Sequence, residues 1–307
     1  MNVQEFIQEV KSSAICPDDF DVVYSQFQEY QKNAMDTLIA FHNVCENNNI
    51  QYQMAFGSLL GTIRDDGQIP WDYDVDVIIP YSERYALIDA LDRDLPKNMY
   101  YYCPETNEEC RHYFMRVAPV GYRSDRLHLD VFYVIGAPAS KDERYVFEAQ
   151  LSHFFKLRYA KLVRISEYAK NAYRSKAKAL YLKCKYLKYK NKWIKSQLES
   201  ICGRYDPNST AITIPVLGVK EYKHIYWETE SLWDTMLCST SKGVFRISRN
   251  YDKILTNIYG EYNKIYPLES RLNEIYKSYY LIKDNKKAGL NHSSKRYYMI
   301  SNSLKNK

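Results

Sequence analysis

The sequence lacks any long uninterrupted apolar run. No stretch of its 307 residues approaches the roughly 20 consecutive apolar residues that span a bilayer, so we expect no transmembrane helix. The N-terminal run MNVQEFIQEV is acidic and amphipathic, without the basic start and apolar segment of a secretion signal. Both absences predict a cytoplasmic protein, whose contact with the inner face of a membrane would be peripheral.

The cysteines lack any recognisable spacing. Seven are scattered along the chain, with no Cys-x-x-Cys pair and no histidine at zinc-finger spacing. This pattern excludes a zinc finger and a disulfide framework, and it suits a reducing compartment. With 46% hydrophobic and 26% charged residues, the composition is that of an ordinary globular chain, neither disordered nor fibrous.

Basic residues are concentrated in one segment. Residues 156–195 contain fourteen Lys or Arg and a single acid, a net of +13, whereas the whole chain carries only +6. The rest of the chain is therefore acidic by about −7. Within the segment, apolar residues recur at helical spacing and predict a basic amphipathic helix or helical pair: Leu182, Tyr186, Tyr189 and Trp193.

Two interpretations of the basic segment stay open. It is either the solvated face of a helix packed on the core or a surface that attracts an anionic partner. That partner would be phospholipid head groups, a lipid-linked pyrophosphate carrier or a phosphate-rich glycan. No nucleic-acid-binding motif accompanies the charge, so we do not expect nucleic acid as a partner.

Hydrophobic periodicity predicts an α+β fold. Residues 24–46 have the pattern of a long amphipathic helix, and residues 50–56 that of a short strand. Residues 75–79 and 127–135 are rich in Val, Ile, Leu and Phe and predict buried strands, with a weaker strand candidate at 112–120. We therefore predict a small mixed β-sheet flanked by helices.

Three aspartates alternate with other residues at the start of the strand predicted over 75–79. If Asp72, Asp74 and Asp76 lie in an extended chain, their carboxylates project from one face about 7 Å apart. Such carboxylates repel one another, and a folded protein tolerates them best around a cation. Oxygen ligands without His or Cys beside them favour Mg²⁺ or Mn²⁺, whose coordination substrate phosphates would complete.

A glycine–serine pair precedes the aspartates. Gly57 and Ser58 follow the predicted strand directly, so backbone N–H groups and a hydroxyl can approach a phosphate closely. Residues 59–64 predict a short helix whose N-terminus favours the same anion, and the Arg64 guanidinium suits phosphate or carboxylate. A phosphate cradle followed by a metal pair is the order that phosphoryl transfer requires.

A single aspartate, Asp130, interrupts the apolar strand predicted over 127–135. A lone buried carboxylate costs several kcal/mol unless it is paired or bound to metal. Either it forms an ion pair with Arg123 or Arg126, or it is a third metal ligand and also the base for an acceptor hydroxyl. His128 is assigned to the opposite face of the strand and to a structural role.

Fourteen residues of one segment follow a single family pattern, Gly-[Ser/Thr]-Leu-Leu-Gly-x-x-Arg and then Gly-x-Ile-Pro-Trp-Asp-x-Asp-[Ile/Val]-Asp. They are Gly57, Ser58, Leu59, Leu60, Gly61, Arg64, Gly67, Ile69, Pro70, Trp71, Asp72, Asp74, Val75 and Asp76. Asp130-Val131-Phe132 and Tyr259-Gly260-Glu261-Tyr262, followed by Pro267 and Arg271, match later elements of that family. The chain thus resembles the LicD-type phosphotransferases, the family that includes fukutin and fukutin-related protein.

The match has departures. Tyr73 stands where an acid is frequent in the family, which leaves Asp74 and Asp76 as the metal pair. Asn273 stands where a histidine is common, and a family proline near Phe245 is missing. These departures concern the C-terminal half more than the metal centre.

The resemblance implies a nucleotidyltransferase-like fold and an enzyme, a metal-dependent phosphotransferase. A hydroxyl of a cell-surface or lipid-linked glycan would attack the distal phosphate of a CDP-linked donor, so that phosphocholine or a polyol phosphate is transferred and CMP leaves. The catalytic and metal-binding residues would be Asp74, Asp76 and Asp130. The donor would be bound by Gly57, Ser58, Gly61, Arg64, Trp71 and Asp72, the last two alternatively shaping the turn or contacting substrate.

The same interpretation divides the chain into four parts. Residues 1–150 are expected to form the nucleotidyltransferase-like core, 151–205 a basic helical insertion, 206–287 a helical part that completes the catalytic domain, and 288–307 a polar basic tail. Two other functions stay open: a nucleotidyltransferase that attacks the α-phosphate, and a non-catalytic glycan-assembly subunit that docks at the membrane. The sequence does not indicate the transferred group, the acceptor or the oligomeric state.

Overall fold

The computed structural model describes residues 1–162, 173–217 and 225–283, and it is a mixed α+β protein. Its helices are α1 (Val3–Lys11), α2 (Phe20–Asn47), α3 (Phe56–Arg64), α4 (Arg84–Asp94), α5 (Lys141–Leu162), α6 (Tyr173–Tyr186), α7 (Asn191–Cys202), α8 (Thr229–Trp233), α9 (Tyr251–Tyr259) and α10 (Leu268–Lys283). Its strands are β1 (Gln53–Met54), β2 (Val75–Pro80), β3 (Met99–Tyr102), β4 (Met115–Pro119), β5 (Leu129–Ala137), β6 (Ile212–Val216), β7 (Trp227–Glu228), β8 (Thr235–Thr240) and β9 (Gly243–Ser248).

Strand β5 is the centre of a mixed sheet to which seven of the described strands belong. It pairs in parallel with β2 on one side, and antiparallel with β4 and then β6 on the other. Strands β1, β3 and β7 extend the sheet from β2, β4 and β6, while β8 and β9 form a separate hairpin. The predicted mixed sheet flanked by helices is confirmed, with β3, β6 and β7 as additional strands.

Helix α2 confirms the helix predicted over 24–46 and begins four residues earlier, at Phe20. Its inner face is fully buried at Phe27, Tyr30, Leu38 and Phe41. Burial of each such side chain contributes about 1.5–3 kcal/mol, which explains why this long helix lies against the sheet. The helix ends at Asn47, and Asn49 then takes a left-handed conformation with φ 53°.

The predicted strands differ in how well their boundaries agree with the structure. β2 and β5 occupy the two apolar runs, and nearly all their side chains are buried. The weaker candidate over 112–120 contains β4. The strand predicted over 50–56 is much shorter, since β1 covers only Gln53–Met54 and Phe56 already begins α3. Phe56 has φ 47°, a left-handed turn that ends the strand early.

The basic segment contains two described helices, α6 and α7, as the prediction of a helical pair requires. Both pack against α5, and α7 buries Ile194 and Leu198 there. Residues 163–172 of the segment and the predicted polar tail at 288–307 lie outside the described residues. None of the described helices is long and apolar enough to cross a membrane.

Candidate active site

The first turn of α3 is tied directly to strand β2. Ala55, in an extended conformation, precedes the helix, and the left-handed Phe56 reverses the chain from β1 into α3. The Ser58 hydroxyl oxygen then accepts a hydrogen bond of 2.7 Å from the Asp76 backbone N–H. This bond places the N-terminus of α3 beside the strand residue that carries a carboxylate.

Glycines permit the loop before β2 to lie close to α3. A Cβ atom at Gly61 would be 2.9 Å from the Ile69 backbone nitrogen, closer than real Cβ contacts. At Gly57 a Cβ atom would be 3.2 Å from a carboxylate oxygen of Asp72. Gly61 is therefore required for the close packing of helix and loop, and Gly57 keeps the space between the helix end and Asp72 open.

Helix α2 fixes the same loop from the other side. The buried Gln31 amide donates hydrogen bonds to the backbone carbonyls of Ile69 (3.0 Å) and Asp72 (2.7 Å). The Tyr24 hydroxyl donates to the Pro70 carbonyl at 3.0 Å. The loop that carries Asp72 is thus held by buried hydrogen bonds, each worth about 1 kcal/mol net.

The three motif aspartates do not all lie in a strand. β2 begins at Val75, so Asp72 and Asp74 belong to the preceding loop and only Asp76 to the strand. The Asp74 backbone N–H donates to the Asp72 carboxylate at 3.1 Å, a turn that replaces the expected extended alternation. The strand register then places Asp76 directly beside Asp130 of β5. We call these four residues, Asp72, Asp74, Asp76 and Asp130, the carboxylate cleft.

Crowding and burial disfavour the charged forms of three of these carboxyls. Burial, and then the Asp74 charge, raise the pKa of Asp72 to about 7. Burial and the charges of Asp130, Asp74 and Asp72 raise the pKa of Asp76 well above its usual range. The pKa of Asp74 is also raised, mainly because protein atoms crowd around its carboxyl group, although the residue is exposed at the surface.

Asp130 behaves in the opposite way. Burial alone would raise its pKa, but the charges of Arg116 and His128 lower it below the usual range. The Arg116 guanidinium donates to Asp130 at 2.7 Å, because Arg116 of β4 lies beside Asp130 in the register. Asp130 therefore stays ionised.

The structure decides one alternative and corrects one assignment around Asp130. Arg123 and Arg126, the alternative ion-pair partners of Asp130, form salt bridges with Asp125 instead, at 2.7 and 4.0 Å. His128 does not point away, since its Nε2 lies 3.2 Å from Asp130 Oδ1. Residues two apart in an extended chain point to the same face, so it was wrong to assign His128 and Asp130 to opposite faces.

Arg64 and Trp71, both expected to contact the donor, are enclosed by protein. The Arg64 guanidinium donates to Asp65 at 2.8 Å and to the Tyr262 carbonyl at 3.0 Å. Trp71 is buried, with the guanidinium of Arg271 4.9 Å from its ring centroid. In this arrangement Arg64, at the end of α3, and Trp71, in the loop before β2, both connect this region to the C-terminal part of the chain.

The C-terminal helices carry two further groups whose charges act on the cleft, and sequence reasoning assigned neither to the site. Helix α9, which packs against α3, carries Tyr259, and burial and the charges of Asp76 and Asp72 raise the pKa of its hydroxyl. Glu274 of α10 contributes to the raised pKa of Asp72. The Tyr-Gly-x-Tyr resemblance was the only signal for Tyr259, and no sequence pattern indicated Glu274.

The cleft has room for a small ion but no preassembled metal coordination among the described residues. A cavity of about 10 Å³ lies among Gly57, Ser58, Asp72 and Asp74, room for about one water molecule or small ion. No described Lys or Arg forms a salt bridge with Asp72, Asp74 or Asp76. Within the described ranges, no group of three or more His, Cys, Asp or Glu side chains is arranged to hold a metal. Two carboxylates completed by substrate oxygens suit Mg²⁺ better than a cage made of protein alone.

The site thus joins a helix N-terminus to an acid-bearing strand, with a second acid on the adjacent parallel strand. Residues 49–166 match the family model described as "LicD/FKTN/FKRP, nucleotidyltransferase domain". This part of the chain is therefore a domain of the LicD/FKTN/FKRP family. It contains every site residue predicted from the sequence.

A relative of known activity is similar over a shorter range. The lipopolysaccharide cholinephosphotransferase LicD of Haemophilus influenzae is 38% identical over 63 residues, which cover 20% of this chain. The matched region spans 24% of the relative's length.

Proposed function

We propose that this protein is a phosphotransferase that acts on glycans, and that it moves a phosphorylated group from a CDP-linked donor to a glycan hydroxyl. The transferred group would be phosphocholine or a polyol phosphate, and CMP would be released. The observation that carries the proposal is the Ser58–Asp76 hydrogen bond, which joins the N-terminus of α3 to the carboxylate cleft. The family domain supports the transferase class, and the relative's name supports a phosphocholine donor and a lipopolysaccharide acceptor.

The first turn of α3 would bind the donor's phosphates. Its backbone N–H groups at the positive end of the helix dipole attract anions, and Gly57 leaves space for close approach. Ser58 keeps its hydroxyl oxygen on the Asp76 N–H, so its role is to hold the helix end against β2. The phosphates would thus lie between a positive helix end and the carboxylate cleft.

A divalent cation would allow the negatively charged donor phosphates to bind beside the negatively charged carboxylate cleft. Asp74 and Asp76 would hold Mg²⁺ or Mn²⁺, because both are oxygen donors without a basic partner among the described residues. When bound, the ion would neutralise the diphosphate and the charge that develops on departing CMP. Asp72, with a pKa of about 7, lines the small cavity beside Gly57 together with Asp74.

Asp130, held by Arg116, would bind and orient the hydroxyl of the glycan acceptor. Arg116 keeps Asp130 ionised, so Asp130 can accept a hydrogen bond from an acceptor hydroxyl and orient its oxygen. In the reaction that oxygen bonds to the distal phosphorus, the bond from this phosphorus to the bridging oxygen breaks, and CMP leaves with the electron pair. The hydroxyl proton passes to the Asp130 carboxylate late in the step. The low pKa of Asp130 makes it a weak base, which suits the loose transition state of phosphoryl transfer. For Asp130 to be a third metal ligand, it would have to share its carboxylate with Arg116.

The test is release of CMP from CDP-choline and CDP-polyols by the purified full-length chain with Mg²⁺ and a glycan hydroxyl acceptor. Asp74→Asn should abolish CMP release and keep the folded circular dichroism spectrum. Asp89→Asn, an exposed aspartate on α4, is the matched control and should turn over normally. Full turnover by Asp74→Asn would refute the role of the cleft.

Mass analysis of the acceptor distinguishes the two enzymatic alternatives. Addition of phosphocholine or a polyol phosphate supports attack at the distal phosphate. Addition of a nucleoside monophosphate would instead identify a nucleotidyltransferase that attacks the α-phosphate.

A further inference from the structure

Helix α6 presents apolar residues to solvent. Leu180 and Tyr181 are 53% and 61% exposed, and the exposed Ala177 and Cys184 lie three residues on either side of the pair. This spacing puts all four on one side of the helix. After α6 ends, Leu187 is 71% exposed and Trp193, in the first turn of α7, is 42% exposed. We call these six residues, together with the lysines below, the α6–α7 surface.

Lysines surround the apolar residues. Residues 173–195 contain nine Lys or Arg and no acid. Among the side chains that the structure describes, Lys185, Lys188, Lys190 and Lys192 are exposed, and none of them forms a salt bridge with a carboxylate of the described residues. The Lys188 ammonium lies 5.1 Å from the centroid of the Tyr189 ring, and the Lys185 ammonium lies 5.9 Å from that of Tyr181. The charged groups are therefore close to the aromatic rings.

The opposite side of the helical pair is anchored. Lys183 donates to the Lys161 carbonyl of α5 at 2.9 Å, and the Lys161 ammonium donates to the Tyr189 carbonyl. Ile194 and Leu198 of α7 are buried, and the helix packs against α5. Helices α6 and α7 thus pack against α5 with one side, and the apolar residues lie on the other side. Their exposure is therefore a property of the folded protein.

We propose that the α6–α7 surface attaches this protein peripherally to an anionic lipid bilayer. Leucine and aromatic side chains would enter the interfacial region, while the lysines meet anionic head groups. A bilayer satisfies both properties of the surface at once. A phosphate-rich glycan or a nucleic acid would attract the lysines but leave Leu180 and Leu187 without apolar contacts. A second copy meeting the same surface would bring like charges together.

The experiment is vesicle co-sedimentation of the full-length chain without any donor or acceptor. The chain should bind vesicles of phosphatidylcholine mixed with phosphatidylglycerol, and binding should weaken as salt is added. Lys185→Gln/Lys188→Gln should bind about 30-fold more weakly, the value expected for two lysines near an anionic surface. The control is Lys253→Gln/Lys277→Gln, which removes the same net charge from exposed positions on α9 and α10 and should bind as the unaltered chain does.

A second measurement reports the apolar contribution. Trp71 and Trp227 are buried and Trp233 is half-buried, so a blue shift of tryptophan emission on vesicle binding should come mainly from Trp193. The shift should vanish in Trp193→Phe, and Leu180→Gln/Tyr181→Gln should weaken binding while the melting temperature stays unchanged.

Three results would overturn the proposal. They are equal binding to purely phosphatidylcholine vesicles, equal losses in the α6–α7 variant and its control, and concentration-dependent dimerisation that Leu180→Gln abolishes. The last would assign the surface to a second copy. Because no donor is present and no carboxylate of the cleft is changed, failure here is separate from failure of the proposed transferase activity.

Discussion

The carboxylate cleft and the α6–α7 surface are both crowded with charges of one sign, but the crowding has different costs. In the cleft, the raised pKa values of Asp72 and Asp76 show that burial and neighbouring charges work against ionisation. On the α6–α7 surface the lysines are exposed to water, where the repulsion between like charges is weak. Charge density alone is therefore strong evidence for a site in the cleft and weak evidence on the surface.

What makes the surface informative is its exposed apolar area. Solvated lysines need no partner, whereas Leu180, Tyr181, Leu187 and Trp193 gain free energy when covered. In the cleft the reverse holds, since the apolar residues are buried and the unpaired acids need a partner. The surface is therefore identified by its exposed apolar side chains, and the cleft by its acids without a basic partner.

The largest expected effect is on CMP release, which should depend on the carboxylate cleft and not on the α6–α7 surface. Asp76→Asn should lower CMP release at least about 10³-fold, or about 4 kcal/mol of transition-state stabilisation. Its melting temperature should not fall, because the amide removes a buried charge whose pKa is raised. Lys185→Gln/Lys188→Gln, assayed with a soluble acceptor, should stay within about twofold of the unaltered chain. A parallel loss in both variants would erase the distinction.

The Arg116–Asp130 pair should have the largest effect on stability. Arg116→Met leaves the half-buried Asp130 without its guanidinium partner, and we expect a loss of about 3 kcal/mol in the free energy of unfolding. Urea denaturation at neutral pH measures it. Adding Asp130→Asn should restore part of the loss, because the uncompensated charge is then gone. No recovery in the double variant would mean that Arg116 stabilises through packing on Phe114 instead.

Small-residue substitutions should differ between the regions. Gly61→Ala introduces a Cβ atom 2.9 Å from the Ile69 backbone nitrogen, so the helix or the loop must move, at about 2 kcal/mol. Cys184→Ala on the exposed side of α6 should change stability by less than about 0.5 kcal/mol. Thermal denaturation of both variants checks the contrast, and a tolerated Gly61→Ala would indicate a loop less fixed than its hydrogen bonds suggest.

The smallest expected effect is a pH dependence of stability in the absence of divalent cations. Asp72 has a pKa of about 7 in the folded chain and an ordinary value of ~3.9 when unfolded. The folded state therefore binds this proton more tightly, and its contribution to stability is full below about pH 4 and is lost as the pH rises through about 7. In EDTA, the free energy of unfolding should fall between about pH 5 and pH 8 by roughly 1–2 kcal/mol more in the unaltered chain than in Asp72→Asn. Equal slopes would mean that Asp72 is not perturbed.

Periodicity and motif spacing predicted the elements that carry the site. The pattern over 24–46 predicted α2, the apolar runs predicted β2 and β5, and the family pattern located the cleft residues. These features are local, since hydrophobic spacing within one element reports which face is buried. The short β1 and the loop position of Asp72 and Asp74 were not predicted, because a left-handed residue and a turn interrupt an otherwise strand-like sequence.

The partners of the site residues depend on pairing between distant segments. Asp130 meets Arg116 because β4 and β5 are adjacent, Asp76 meets Ser58 because α3 reverses onto β2, and Tyr259 approaches from a helix nearly 200 residues later than α3. No local pattern contains such information. The sequence by itself determined the residue types, their spacing and the basic segment. Only the tertiary structure decided which aspartate is paired with an arginine, which aspartates crowd one another, and which apolar residues of α6 face water. Burial and charge pairing depend on neighbours in space, which the local sequence does not specify.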